Sequence, residues 1–497
     1  MRLTHTSDQG QDWYRAYALT LSVCLAMTAL ALLVWGFGIR SSTINGGIAL
    51  GIAIGLFCSA FAMLTSRGAL AALPYFLIGC GVFFGLGTFI ATQIPESMYK
   101  ISFTTDVQRE MLAKVNAANI VAITIVVIFA APFSLSVPRA QRSVDEPGLR
   151  DVIDRLMGLM PILLMISIPV VALMWATFPR PSNLIVHSLL KPLSGIPLFT
   201  VLLGGAVWGR LDGAQRAVVL VLVICLALHG LLGLRKLYTI LPILSFSMGL
   251  WLNRPTRVAA GIIALGVALV YFNGFSDTVK FSRLHGSFDP FLNTPLDRAS
   301  IIADTAGRLG DMASLSYRGV AAQRLTIAPF EAHFIALYDS GAPGDSLRNF
   351  FNVLVPRVIW PDKPIIAPGA EFDVTFRGYI AESSLAIGFI AEAYWNLGWI
   401  GVILISAMIG VQMGWLTRRW QLFCEHGLPY CGIFLFAPLV LQFSLWVETN
   451  IVGGYVGGVV KLMLFVAFVD YAARLYVSKR NSAKAQRLNW YLERPEA

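Results

Sequence analysis

The chain has 497 residues, of which 56% are hydrophobic and only 13% charged, with a formal net charge of +10. A soluble domain carries about a quarter charged residues, so this composition excludes a water-exposed globule and requires a bilayer to cover the apolar surface. The basic residues cluster in short loops and at the C-terminal end, which marks membrane topology and not nucleic-acid binding.

About 20 apolar residues let a helix cross the hydrocarbon core. Runs of that kind fall at 16–37, 46–65, 69–92, 117–137, 156–178, 190–209, 216–234, 237–252, 257–273, 397–417, 428–446 and 452–476. They predict an all-α polytopic membrane protein with about twelve transmembrane helices. The first run is too long for a signal-peptide core and has no A-x-A site after it, so it reads as a span. Arg2 and Arg15 place the N-terminus in the cytoplasm. Every second loop is then basic, from Arg67 through Arg418 and Arg419 to Lys479, Arg480, Lys484 and Arg487, so both termini are predicted cytoplasmic.

This divides the chain into an N-terminal membrane region (1–273, about nine spans), a large periplasmic loop (274–396), a C-terminal membrane region (397–476, about three spans) and a basic cytoplasmic tail (477–497). The loop is rich in Phe, Leu, Ile and Trp with balanced charges, so it is expected to be ordered. Apolar residues recur at helical spacing through Ile301, Ile302, Ala306, Leu309, Met312 and Leu315. The six cysteines lie in predicted spans or on the inner side, where they read as small buried hydrophobes.

Few charges fall at mid-depth, Lys461 and Asp470 being the clearest, which weighs against a proton-coupled pump. His229, within the seventh run, reads as a packing residue. Ionisable groups gather in the outer loop instead. Among them are Arg283, Arg308, Arg348, Arg357 and Lys363, the acids Asp304, Glu331, Asp345, Glu382 and Glu392, and the histidines His285 and His333. Arg235 and Lys236 sit in a tight outer connection, against the positive-inside bias, and a broken local rule points to a functional site. Arginine holds phosphate through its fork of donors and lysine as a point charge.

Two strings are sharper. In 348–364, Pro356, Pro361 and Pro364 stiffen the backbone beside Trp360, so Arg357 and Lys363 are presented on a rigid turn. In 382–399, Glu392 lies in an apolar helical stretch approaching the bilayer, where a carboxylate is either raised in pKa, as a general base requires, or paired with a loop arginine. Glu382 heads the same string, and His333 is a further proton acceptor.

The Pro-Arg-x-x-Trp-Pro-x-Lys-Pro string at 356–364, followed by Glu-x-Tyr-x-Asn-x-Gly at 392–398, resembles bacterial oligosaccharide repeat-unit polymerases of the Wzy type. Gly233-Leu-Arg-Lys236 is similar to the arginine motif those proteins carry at an outer helix end. The resemblance implies a GT-C-like helical fold in the bacterial inner membrane and a metal-independent glycosyltransferase without cofactor. Its implied substrate is an oligosaccharide on undecaprenyl diphosphate, polymerised at the periplasmic face into a surface or secreted polysaccharide, and its implied partners are a flippase and a chain-length co-polymerase. It assigns diphosphate binding to Arg235 and Arg357, with Lys236, Arg348 and Lys363 beside them. Glu392, His333 and Glu382 are the catalytic candidates. The sequence departs from the pattern in the last outer loop, 447–451, which holds Glu448 but no arginine. Two alternatives stand beside this reading. One is an O-antigen-ligase-like transferase, which would use a loop histidine such as His333. The other is a polysaccharide or lipid-carrier transporter, which would show repeat symmetry and a polar central cavity.

Overall fold

The protein is seen in a computed structural model that describes residues 8–66, 71–93, 105–135, 153, 156–177, 193–233, 236–252, 257–270, 294–311, 325–355, 359–360, 372, 374–375 and 387–492. Among these residues every regular element is helical. An apolar chain in lipid has to satisfy its backbone hydrogen bonds internally, and helices do so within one segment.

In chain order the principal helices are α1 (Asp8–Gly36), α2 (Ser42–Ser66), α3 (Ala72–Gln93), α4 (Thr105–Ser134), α5 (Met160–Ala176), α6 (Gly195–Ala206) and α7 (Gly213–Leu232). They continue as α8 (Lys236–Leu252), α9 (Arg257–Val270), α10 (Pro295–Asp311), α11 (Ala328–Asp339), α12 (Gly388–His426), α13 (Ala437–Leu445) and α14, which starts as the π-helix Ile451–Val459 and continues over Val460–Leu492. Local chemistry sets several boundaries. Asp212 and Gln215 form a reciprocal capping box at the start of α7, with Gln215 N–H donating to Asp212 Oδ1 at 2.7 Å. Asn450 caps α14 by accepting from Gly453 N–H at 2.6 Å.

Among the described residues, seven helices are long and apolar enough to cross a membrane: 12–36, 42–65, 72–93, 111–134, 213–232, 388–426 and 451–479. The remaining five predicted runs are carried by shorter or broken helices. Helices α5, α6 and α8 are apolar but short, and α9 covers 14 residues. At 1.5 Å per residue the 12 residues of α6 reach only about 18 Å, against a hydrocarbon core of about 30 Å. The run 428–446 is divided into 3-10 turn Leu428–Tyr430, the short helix Gly432–Leu435 and α13. Pro429 and Pro438 each stand at the start of a new piece, because proline has no N–H to continue the preceding helix.

The helices pack in two groups. In the first, α12 lies along α4, with α1, α2, α3 and α14 around them. In the second, α8 packs on α6, α7 and α9, and α5 lies against α6 and α7. Helix α13 touches α3 and α6 and so joins the groups. The glycines of Ile451–Val459 serve this close packing within the chain: Gly457 abuts Val353 and Gly458 abuts the Phe443 ring. His229 packs edge-on to Trp175 at 5.6 Å, in agreement with a packing role. Asp470 is buried and structural, accepting from Gly432 N–H at 2.9 Å and from Arg419 at 3.2 Å. Lys461 lies on the exposed side of α14, and the six cysteines are free thiols.

Candidate functional site

Of the segment between the two predicted membrane regions, α11 and the turn Ser346–Asn349 pack on the first group, and α10 meets α7 of the second. Helix α10 covers the expected helical spacing from Ile301 to Leu309, while Met312 and Leu315 lie outside the described residues. It is tied to the end of α7 by Arg298, which is buried and donates from Nη1 to the Leu232 carbonyl at 3.2 Å. A cation at a helix C-terminus is favoured by the exposed carbonyls. The outcome is a buried guanidinium at the Leu232 carbonyl, on a residue that the sequence alone does not single out.

Helix α11 starts with Pro329 in its first turn and packs against α4 and α12. Glu331 is 1% exposed. Asn119 on α4 donates to its Oε2 at 3.1 Å, while Oε1 has no partner among the described residues. Burial pushes this carboxyl up to about 8, against the opposing effect of the Asn119 bond, so it is protonated at neutral pH. His333, half-buried two residues on, lies edge-on to Phe334 at 5.4 Å. Burial lowers its pKa, which keeps the imidazole neutral near pH 7 and able to accept a proton. Sequence reading counted Glu331 among the outer acids without assigning it a role. The available signal was its place in the apolar helical string Ala328–Leu337, where a carboxylate cannot be solvated.

Helix α12 explains the Glu-x-Tyr-x-Asn-x-Gly string. Residues four apart share a helix face, and residues two apart lie on nearly opposite faces. Glu392 and Asn396 therefore face one way. Glu392 Oε1 accepts from Ser346 Oγ at 3.0 Å, and Oε2 accepts from Ile451 N–H at 2.6 Å. Asn396 donates to Ser346 Oγ at 2.9 Å and accepts from Leu347 N–H at 3.3 Å. Together they bind the 3-10 turn Ser346–Asn349 to the head of α14. Tyr394 and Gly398 face α11. Tyr394 donates to Asp339 Oδ1 at 3.0 Å. Gly398 has φ +61°, where α12 kinks, and a Cβ there would stand 2.7 Å from the Tyr338 ring.

The turn held by Glu392 and Asn396 carries Arg348. Its side chain is 62% exposed, and Nη1 donates to Asp345 at 2.8 Å. A guanidinium has five donors, and the other four have no acceptor among the described residues. An arginine whose base is anchored while its fork stays open is suited to an oxyanion.

Of the predicted site residues, the structure thus brings Glu392 and Arg348 into one network and places His333 on the neighbouring α11. Glu392 is fully buried with both oxygens engaged, which is the arrangement of a positioning group. Lys236 is the first residue of α8. Arg235, Arg357, Lys363 and Glu382 lie outside the described residues. Among those described, no three of His, Cys, Asp and Glu gather to hold a metal ion. Family models, curated proteins and solved structures were compared with the chain, and none matches.

Proposed function

We propose that the protein is a membrane glycosyltransferase that polymerises oligosaccharide repeat units carried on undecaprenyl diphosphate, at the periplasmic face of the inner membrane. In this reading the twelve apolar runs cross the bilayer in a GT-C-like arrangement, α6 doing so together with the rest of the run 190–209, and both termini are cytoplasmic. The observation that carries it is the anchored turn Ser346–Asn349. A buried carboxylate and amide on α12 hold the Ser346 hydroxyl and the Leu347 N–H, and Arg348 is left with an open fork.

The reaction forms one glycosidic bond and breaks one. An acceptor sugar hydroxyl attacks the anomeric carbon of the glycan on the second carrier. The carbon–oxygen bond to the diphosphate breaks, and undecaprenyl diphosphate leaves with the electron pair. The hydroxyl proton passes to a base, for which neutral His333 is suited. Arg348 binds the diphosphate and stabilises its developing charge, with Arg235, Lys236, Arg357 and Lys363 in the same role. Glu392 positions the turn, and Glu382 remains a second carboxylate candidate. No metal or cofactor enters this scheme. A flippase supplies the substrate, and a co-polymerase sets chain length.

Deleting the gene in the producing cell and profiling its polysaccharide tests the proposal. Long polymer should vanish while single repeat units persist, and Arg348→Ala should reproduce that loss at normal protein level. If the deletion also removes single units from the surface while lipid-linked material accumulates, ligation or flipping replaces polymerisation. Wild-type polymer from the deletion contradicts the proposal.

A further inference from the structure

Near the turn that carries Arg348, a second cluster is built from four helices. Trp35 ends α1, Lys114 lies in the first half of α4, Tyr338 and Asp339 end α11, and Tyr394 and Trp399 flank the kink in α12. The rings are in contact: Trp35 and Trp399 at 5.4 Å, Tyr394 and Trp399 at 5.6 Å, Tyr338 and Tyr394 at 5.4 Å. Lys114 Nζ stands 5.0 Å from the Tyr394 ring centre and 5.8 Å from that of Trp35. It also forms an ion pair with Asp339, which in turn accepts from the Tyr394 hydroxyl.

An interfacial aromatic belt needs Trp and Tyr at the right depth. It does not need them gathered around an ion pair. The pair is largely buried, so removing either member would leave the other charge unpaired. The polar atoms retain capacity. An ammonium has three donors, and one goes to Asp339. A carboxylate accepts at about four sites, and Lys114 and Tyr394 supply two of the bonds. Asp339 keeps 35% of its side chain exposed and Lys114 14%. Both tryptophans are half-buried.

We infer that this cluster is a saccharide subsite that holds a pyranose ring of the lipid-linked repeat unit. The inference rests on the glycosyltransferase reading and adds to it the part of the substrate recognised there. The C–H face of a pyranose is weakly positive and stacks on the negative face of an aromatic ring. Its ring-edge hydroxyls both donate and accept, matching a carboxylate and an ammonium held side by side. The kink at Gly398 brings the Trp399 end of α12 and the Tyr394 end onto the same cluster.

The test uses the full-length protein in nanodiscs, labelled with 5-fluorotryptophan. The probe is the oligosaccharide released by mild acid from the cell's own lipid-linked pool. Trp35→Phe and Trp399→Phe assign the two fluorine resonances by their disappearance. Both resonances should shift on titration with the oligosaccharide and stay fixed with maltose at equal concentration. Trp399→Ala should weaken binding about tenfold, the order of one aromatic contact, and should shorten polymer in cells lacking the chromosomal copy. Resonances that ignore the oligosaccharide overturn the inference without any variant having to fold. Wild-type protein that restores polymer while Trp399→Ala restores it equally also overturns the subsite and leaves the transferase reading standing. A deletion that leaves polysaccharide unchanged overturns both.

Discussion

At the scale of single residues, burial decides what each carboxylate can do. Glu392 and Glu331 are both buried, but Glu392 has a donor on each oxygen and Glu331 on only one. The Glu331 carboxyl is raised in the fold to about 8, from an ordinary 4.5. Between these values the folded state binds a proton that the unfolded chain has lost, so stability falls as pH rises through that window and levels off above it. Glu331→Gln, which cannot ionise, should flatten this slope and raise the melting temperature at pH 8 and above, by an effect on the order of a few kcal/mol. Thermal melts of both proteins from pH 5 to 9 check this, and parallel curves would contradict it. His333 has the opposite sign. Its pKa is lowered in the fold, so the unfolded chain takes up the proton first and stability is lost as pH falls through the unfolded value near 6.5. If it is the base, the acid limb of the transfer rate lies below pH 6.5 and disappears in His333→Ala.

At the scale of elements, α12 organises the end of the first group that carries the Arg348 turn. Its first turns hold the Arg348 turn on one side and α11 on the other. Asn396→Ala removes two hydrogen bonds to the turn, each worth about 1 kcal/mol. It should lower transfer while leaving the global melting temperature within a few degrees. Gly398→Ala should cost about 1–3 kcal/mol, because alanine disfavours φ +61° and its Cβ meets Tyr338. A Gly398→Ala melt equal to wild type would contradict the kink. Much of this was legible in sequence. The string 392–398 stood out by its polar residues in an apolar helix, and α10 by its apolar spacing. The span boundaries were less legible. Helix α4 starts at Thr105 and α12 at Gly388, before the apolar runs begin; both helices pack on α11, and the first turn of α12 is buried by protein. A hydropathy window registers apolar residues, whereas Asn116, Asn119 and Asn396 are polar residues buried by protein. Arg298 was not legible either, since nothing local to it shows that the α7 terminus lies beside it.

At the scale of the whole molecule, the helices define a membrane protein, and the proposal adds its direction and its chemistry. In a cysteine-free background, Asp345→Cys should react with a membrane-impermeant maleimide on intact spheroplasts. Asp12→Cys and Ser482→Cys should react only after permeabilisation. Labelling of position 12 and position 482 from opposite sides would contradict an even number of crossings. The transferase itself is tested most directly with purified protein in nanodiscs, supplied with lipid-linked repeat units extracted from the producing cell and no other enzyme. A ladder of lipid-linked products, each longer by one repeat, is predicted, with one undecaprenyl diphosphate released per step and the ladder lost in Arg348→Ala. Repeat units that stay single, with no carrier released, would contradict it.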